Sequence, residues 1–177
     1  GKFVGFVGLL DPPRDEVPHA MKMASVAGIR VMMITGDNPL TAKAVAKRVG
    51  LAENPEHFRI LEGKDVEEMS DIELRDHLQH EVIFARTTPV HKYRIVKNLQ
   101  ALGEVVAVTG DGVNDAPALK EADIGIAMGK IGTDVAREAS SMILLDDNFA
   151  TIVRAIREGR ILFDNIAKFV FYEFTSN

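Results

Sequence analysis

The stretch VAVTGDGVNDAPALK, residues 106–120, ends a run of Val and Ala in Thr109-Gly110-Asp111-Gly112 and sets a second acid, Asp115, four residues after the first. An apolar run that stops at a Gly-flanked carboxylate and resumes as a helical pattern reads as a strand, a tight turn and a helix start. Pro117 suits the first turn of such a helix, whose N-terminus favours anions. Gly112 leaves space for an ion or a phosphoryl group beside the Asp111 carboxylate. Hard cations such as Mg²⁺ take a few oxygen ligands, often one or two carboxylates with substrate phosphate and water. Asn114 adds an amide that can hold an oxygen, and Asp115 serves either as second ligand or as a group that orients the ligands. A helix cap accounts for one acid. It does not account for Gly-Asp-Gly, Asn and Asp within seven residues, so the pattern points to a metal and phosphate site.

Outward from this stretch, short apolar runs alternate with helical patterns. The runs are residues 3–10, 29–35, 81–85, 104–109, 123–128 and 141–145. Between them VPHAMKMASVAG, NPLTAKAVAKRVG, PVHKYRIVKNLQALG, DAPALKEA and GTDVAREA carry apolar residues at three- and four-residue spacing. Strands and helices alternating at this pace predict an α/β fold, a mostly parallel sheet with helices on both faces. Ligands of such sheets sit outside the carboxyl ends of the strands. The loops after Leu10, Thr35, Ala85 and Thr109 are therefore the ones to watch, and the last three strand ends are expected side by side.

MITGDNP, residues 33–39, repeats the theme with Thr35, Gly36 and Asp37. The Thr35 hydroxyl and the Gly36 amide could each bond a phosphoryl oxygen, though Thr-Gly-Asp before a helix is also ordinary capping chemistry. Lys92 lies just after a strand, in the first turn of a helix that begins near Pro89, where the helix dipole disfavours a cation. It is either a solvated surface charge or a cation that neutralises a phosphoryl group, and Arg86 carries the same ambiguity. In LLDPPRDEVP, residues 9–18, Pro12-Pro13 stiffens a turn. Asp11 there is a connector or, on a sharper reading, a phosphotransferase nucleophile.

Composition narrows the classes. With 177 residues, 46% of them hydrophobic, the chain suits one compact domain. A net charge of −5 argues against nucleic acid as the main partner. The absence of Cys excludes disulfides, zinc-thiolate sites and thiol nucleophiles, and the five His show no ligand pairing. The opening residues are too short and acid-terminated for a signal peptide, and no apolar run approaches membrane-spanning length, so the chain as it stands is expected to be soluble. Residues 53–80 read as a charged surface excursion with one amphipathic helix, opened by a capping box at Ser70 and Glu73 and peripheral to the chemistry. Residues 148–177 read as a long helix capped by Asp147 or Asn148. Its end is unusually aromatic, which implies a partner for that surface.

Together, TGDGVNDAPALK, MITGDNPLTA, LLDPPRDEV, ARTTPVHKYRIV and ILLDDNFATIV resemble cation-transporting P-type ATPases, in the branch of the calcium and sodium-potassium pumps. The resemblance covers essentially the whole chain. It implies a phosphorylation domain over residues 1–147, with the Rossmann-like parallel sheet of the haloacid dehalogenase superfamily, and a stalk helix over 148–177 leading toward a membrane segment. It implies Mg²⁺ on Asp111, with Asp115 and Asn114 beside it, and contacts of Thr35, Gly36 and Asp37 with nucleotide and phosphoryl group. Lys92 matches the family's PxxK lysine, Arg86 the arginine six positions earlier, and Asp11 to Arg14 the DPPR motif that helps hold ATP. On this reading Lys92, Asp111, Asp115 and Thr35 serve catalysis. The family's nucleophile is the Asp of a DKTGT strand, a sequence this chain does not contain, and Pro13 makes Asp11 a poor substitute. The chain is then expected to be part of a multi-pass membrane pump, on the cytoplasmic side and inactive alone. Its partners would be the nucleotide-binding, actuator and transmembrane domains and a transported cation, with calcium favoured weakly by the terminal YEFTSN. A free-standing phosphatase using Asp11 and a non-catalytic binding module are the competing readings.

Overall fold

A computed structural model of the chain describes residues 4, 12–51 and 59–175. Asp11 lies outside the described residues, as do the rest of the run 3–10 and the first part of the charged segment. In chain order the elements are α1 (Val17–Val26), β1 (Met33–Ile34), α2 (Pro39–Val49), β2 (Arg59–Glu62), α3 (Gly63–Glu68), α4 (Asp71–Leu78), β3 (Val82–Ala85), α5 (Pro89–Ala101), β4 (Ala107–Gly110), α6 (Ala116–Glu121), β5 (Ile124–Met128), α7 (Asp134–Ala139), β6 (Met142–Leu144) and α8 (Phe149–Thr175). A single 3-10 turn, Val113–Asp115, joins β4 to α6.

Local chemistry sets the helix ends. Asn38 caps α2 by accepting from the Thr41 amide at 3.0 Å, Pro39 opens it, and Gly50 closes it at φ 68° in the left-handed region. Ser70 and Glu73 form the expected capping box on α4, with the Ser70 amide donating to Glu73 Oε2 at 2.7 Å. Pro89 opens α5, and the His91 ring takes the place of the usual N3 carboxylate by accepting from the Thr88 amide through Nδ1 at 3.1 Å.

The strands are all parallel, as expected, but among the described residues they form two three-stranded sheets, β1-β3-β2 and β4-β5-β6. The strand ends near Thr35 and Ala85 are neighbours. The third, at Thr109, belongs to the other sheet and is bonded to neither. Both sheets still share one core, in which Phe84, Ile95 and Leu74 pack near Ile34, Val106 and Val108. Period two decides the faces. Val82 and Phe84 of β3 point toward α4 and α5, while Ile83 and Ala85 point toward Ala42 and Ala46 of α2. In β5, Ala127 meets Leu119 and Ala136 on one face, and Ile126 meets Leu144 and Ile152 on the other. Among the described residues β1 pairs with β3 alone, over Met33 and Ile34, so it is shorter than its apolar run.

From Arg59 onward the charged segment is part of the fold and not a surface excursion. β2 pairs with β3 over four residues, and Val66, Leu74 and Leu78 are fully buried in the main core. Arg94 of α5 fastens it, donating to the carbonyls of Val66 and Met69 and to Asp71. At the other extreme, α8 runs 27 residues, about 40 Å at ~1.5 Å per residue. Its first turns bury Ile152 and Val153, whereas Phe163, Phe169 and Phe174 are well exposed. Among the described residues no helix is long and apolar enough to cross a membrane.

Candidate functional site

The ends of β1 and β4, outer strands of their respective sheets, open onto one cavity of about 360 Å³. It is lined by Ile34, Thr109, Gly110, Asp111, Asp115 and Lys92, with Arg14, Met128, Ile131 and Asp147 completing the wall. Asp115 organises this edge. Its Oδ2 accepts from the amides of Asp111 at 3.2 Å and Gly112 at 3.1 Å, and its Oδ1 accepts from Lys92 Nζ at 2.5 Å. The residue is buried, and the Lys92 side chain keeps only 20% of its exposure. This pairing explains a cation in the first turn of α5, against the helix dipole: its charge is answered from α6's side of the cavity.

Gly110 makes the arrangement possible. A Cβ there would fall 2.4 Å from the Asp115 Cβ, whereas one at Gly112 would meet nothing closer than 3.6 Å. The glycine the site requires is therefore the one before Asp111, which lets the second acid fold back under the turn. Asp111 itself is exposed, its carbonyl accepts from the Thr133 amide at 2.8 Å, and its carboxylate has no hydrogen bond or ion pair to a described residue. One free acid beside one fully engaged acid is what the turn presents. Among the described residues no cluster of three or more His, Asp or Glu side chains could hold a metal unaided. The residues present fit an ion such as Mg²⁺, which can take one or two carboxylates and keep waters: Asp111 offers an unengaged carboxylate, and both Asp115 oxygens already accept hydrogen bonds.

The turn after β1 is stitched to the turn after β3. The Thr35 carbonyl accepts from the Thr87 amide at 3.0 Å and from its hydroxyl at 2.9 Å, and the Asp37 carbonyl accepts from the Arg86 amide at 2.8 Å. The Thr35 hydroxyl is engaged locally, accepting from the Asp37 amide at 3.1 Å. Gly36 and Asp37 are exposed and not part of the cavity wall. Arg86 adopts φ 50° and reaches out toward Glu62 at 3.8 Å rather than into the cavity. Asn114 is exposed on the 3-10 turn. Arg14 does line the cavity, its Nη1 donating to the Asp146 carbonyl at 3.5 Å. Thus the structure brings Lys92, Asp111, Asp115 and Arg14 together and leaves Thr35 to Asp37, Arg86 and Asn114 outside the cavity wall.

Sequence reasoning gave Asp147 no role beyond a possible cap. It stands at φ 52° with its carboxylate on the loop after β5. A non-Gly residue in the left-handed region is not visible in a sequence, although Asp-Asp-Asn before a helix is a composition that tolerates it.

Comparison with known proteins gives a consistent picture. A family model for haloacid dehalogenase-like hydrolases matches residues 1–123. The chain is 53% identical over 174 residues to a calcium-transporting ATPase of Bacillus subtilis (strain 168) and 52% identical over 175 residues to calcium-transporting ATPase 1 of Yarrowia lipolytica (strain CLIB 122 / E 150). These cover 98% and 99% of the chain and 19% of each relative. It is 47% identical over 199 aligned residues to the sodium/potassium-transporting ATPase subunit alpha-A of Artemia franciscana, covering 99% of the chain and 20% of that protein. The chain thus spans about a fifth of the length of these relatives. Among solved structures, the catalytic domain of the CPx-ATPase CopB-B, studied for its conformational changes upon nucleotide binding, superposes with a TM-score of 0.61 at 24% identity. That match covers 81% of this chain and 45% of the other, a likeness of fold.

Proposed function

Since the chain belongs to the haloacid dehalogenase-like hydrolase family, we propose that it supplies the Mg²⁺- and phosphoryl-binding part of the site at which ATP phosphorylates an aspartate in an ATP-driven cation pump. The observation that carries this reading is the triad of Lys92, Asp115 and Asp111 at the mouth of the cavity between the two sheets. Asp111 offers the free carboxylate for the ion. Bound Mg²⁺ would neutralise phosphoryl oxygens and hold them for in-line transfer.

The chain's own residues do the positioning. Asp115 fixes the Asp111 and Gly112 amides, and it holds the Lys92 ammonium at the cavity until phosphoryl oxygens compete for it. Thr35 and the Gly36 amide flank the same edge on the neighbouring turn, with Asp37, Arg86 and Asn114 around the approach for nucleotide. Arg14 connects the DPPR turn to the carbonyl of Asp146, which supports a role in holding ATP close to the site. Asp11, one of the same motif, is assigned to that function by the resemblance. The acceptor aspartate belongs to a DKTGT strand outside this sequence, and the nucleotide-binding, actuator and transmembrane domains are the expected partners. Calcium is favoured weakly as the transported cation, from the terminal YEFTSN; relatives of both the calcium and the sodium/potassium kind match nearly the whole chain.

The test is a Mg²⁺ titration of the 177-residue chain followed by amide chemical shifts. Weak binding is expected, with shifts centred on residues 110–114 and Lys92. Asp111→Asn should abolish them, and Asp134→Asn, whose carboxylate pairs with Arg137 on α7, should leave them unchanged. Loss with Asp134→Asn alone would put the metal on the wrong loop. Incubation with ATP should yield no hydroxylamine-sensitive acyl phosphate. One formed on Asp11 would instead favour a free-standing phosphatase.

A further inference from the structure

Asp147 is a buried acid that the proposed chemistry leaves unused. Only 6% of the residue is exposed, and its backbone holds the left-handed conformation. It stands two residues before α8, yet α8 does not use its carboxylate. Asp146 Oδ1 accepts from the Asn148 amide at 3.1 Å and Oδ2 from the Thr151 hydroxyl at 2.6 Å, while Asn148 Oδ1 accepts from the Ala150 amide at 2.9 Å. The Asp147 carboxylate turns the other way. Its Oδ1 accepts from the Lys130 amide at 2.9 Å and its Oδ2 from the Ile131 amide at 3.1 Å.

These two amides belong to the loop between β5 and α7, and that loop holds the metal-binding turn. The Thr133 amide donates to the Asp111 carbonyl at 2.8 Å. The loop has little slack elsewhere. Its Gly129 amide donates to the Leu144 carbonyl at 3.0 Å, and Arg137 Nη1 donates to the carbonyls of Gly129 at 3.1 Å and Gly132 at 2.5 Å. A Cβ on Gly132 would lie 2.0 Å from the Met128 carbonyl oxygen, so the backbone passes there at minimum separation. Asp147 and Ile131 also face the same cavity as Asp111, Asp115 and Lys92. The chain of bonds runs from the Asp147 carboxylate through residues 130–133 to the backbone of Asp111, while Asp115 holds that backbone from the other side.

We propose that Asp147 is a positioning residue for the metal- and phosphoryl-binding edge: by clamping the Lys130 and Ile131 amides it fixes the loop whose Thr133 amide sets the aim of the Asp111 carboxylate. The inference rests on the reading of Asp111 as the Mg²⁺ ligand. Groups that orient a ligand from behind commonly contribute 10- to 100-fold in metal affinity.

Three variants of the whole chain separate this from a purely structural role. Asp147→Gly removes both acceptors and suits the backbone angle. Asp147→Asn keeps one carbonyl acceptor and a residue type that tolerates the same angle, so it remains measurable should the glycine variant fail to fold. Ile152→Val loosens the adjacent core without touching the loop. Amide hydrogen exchange of the metal-free chain should show Lys130, Ile131 and Thr133 deprotected in Asp147→Gly and partly so in Asp147→Asn, but not in Ile152→Val. Mg²⁺ affinity should fall about tenfold in Asp147→Gly and less in Asp147→Asn, and stay at the wild-type value in Ile152→Val even where its thermal midpoint drops as far. Affinity within twofold of wild type in both Asp147 variants would overturn the proposal. So would retained protection of Thr133. Should the wild-type chain bind no Mg²⁺ at all, the reading of Asp111 fails, and the exchange arm decides the clamp by itself.

Discussion

Gly110 and Gly112 flank the same acid and are not equivalent. A methyl group at Gly110 would overlap the Asp115 side chain at 2.4 Å, which moves the carboxylate that binds Lys92 and two amides. Gly110→Ala is therefore expected to cost roughly 1–3 kcal/mol, as overpacking does, and to weaken Mg²⁺ binding with it. Gly112→Ala should change neither thermal midpoint nor titration appreciably. Acids held by backbone amides contribute to the response to pH. Asp123 is held below the ordinary carboxylate range, first by the Val106 amide it accepts from at 2.9 Å and then by Gln100. The Lys130 and Ile131 amides hold Asp147 low in the same way. A depressed folded value means these groups add stability at pH above ~3.9, the ordinary Asp value, and that it is lost as pH falls through the lower folded values. Thermal midpoints measured from pH 7 to 2.5 should fall at the acid end, and Asp123→Asn should lower the pH 7 value and flatten that fall. At this scale the sequence revealed which residues matter more readily than what each does. That Lys92, Asp111 and Asp115 would line one cavity was legible from strand-end position and spacing. That the Asp115 carboxylate turns back onto the Asp111 and Gly112 amides, and that Gly110 is the close-packed glycine, depends on a side chain folding back across its own turn, which spacing does not encode.

Helix ends were the most legible elements, because capping is local: Asn38-Pro39, Ser70 with Glu73, and Pro89 each act within four residues of themselves. Short strands were less so. RILE, residues 59–62, is too brief and too charged to announce a strand, and its identity comes from pairing with β3, over a neighbour more than twenty residues away. The same non-local logic hid the burial of α4 behind its charged surface. Leu74 is fully buried against Phe84 and Ile95 in the main core. Leu74→Ala is accordingly expected to cost about 2–5 kcal/mol, as a cavity in a close-packed core does. Urea denaturation should show the midpoint moving while the slope stays constant. A change no larger than that of an exposed site, such as Ile72→Ala in the same helix, would restore the view of residues 59–78 as a surface appendage.

At the scale of the molecule, the division into two parallel sheets accounts for the cavity. Among the described residues β1 has only β3 beside it and β4 only β5, while Ile34 and Thr109 at their ends face a common space. A parallel sheet of this class is ordinarily continuous and covered on both faces, yet β4 leaves Ala107 and Thr109 exposed. The alternation of strands and helices revealed the class and the helical cover; it did not reveal that the described strands fall into two sheets, since which strands pair is set by non-local contacts. On the proposed function, an apolar strand ending in Asp-Lys-Thr-Gly-Thr and lying parallel between β1 and β4 would satisfy both edges and carry its Asp to the cavity beside Asp111 and Lys92. A synthetic peptide of that design, added to the 177-residue chain, is expected to shift and protect the amides of residues 33–35 and 107–110. It should also raise Mg²⁺ affinity, because a second carboxylate joins Asp111. The same peptide with Asn in place of its Asp should still protect the strand edges but leave the affinity at its peptide-free value. Binding that perturbs only the aromatic half of α8, with β1 and β4 unchanged, would show that the peptide recognises exposed apolar surface and that the space between the sheets is not a strand site.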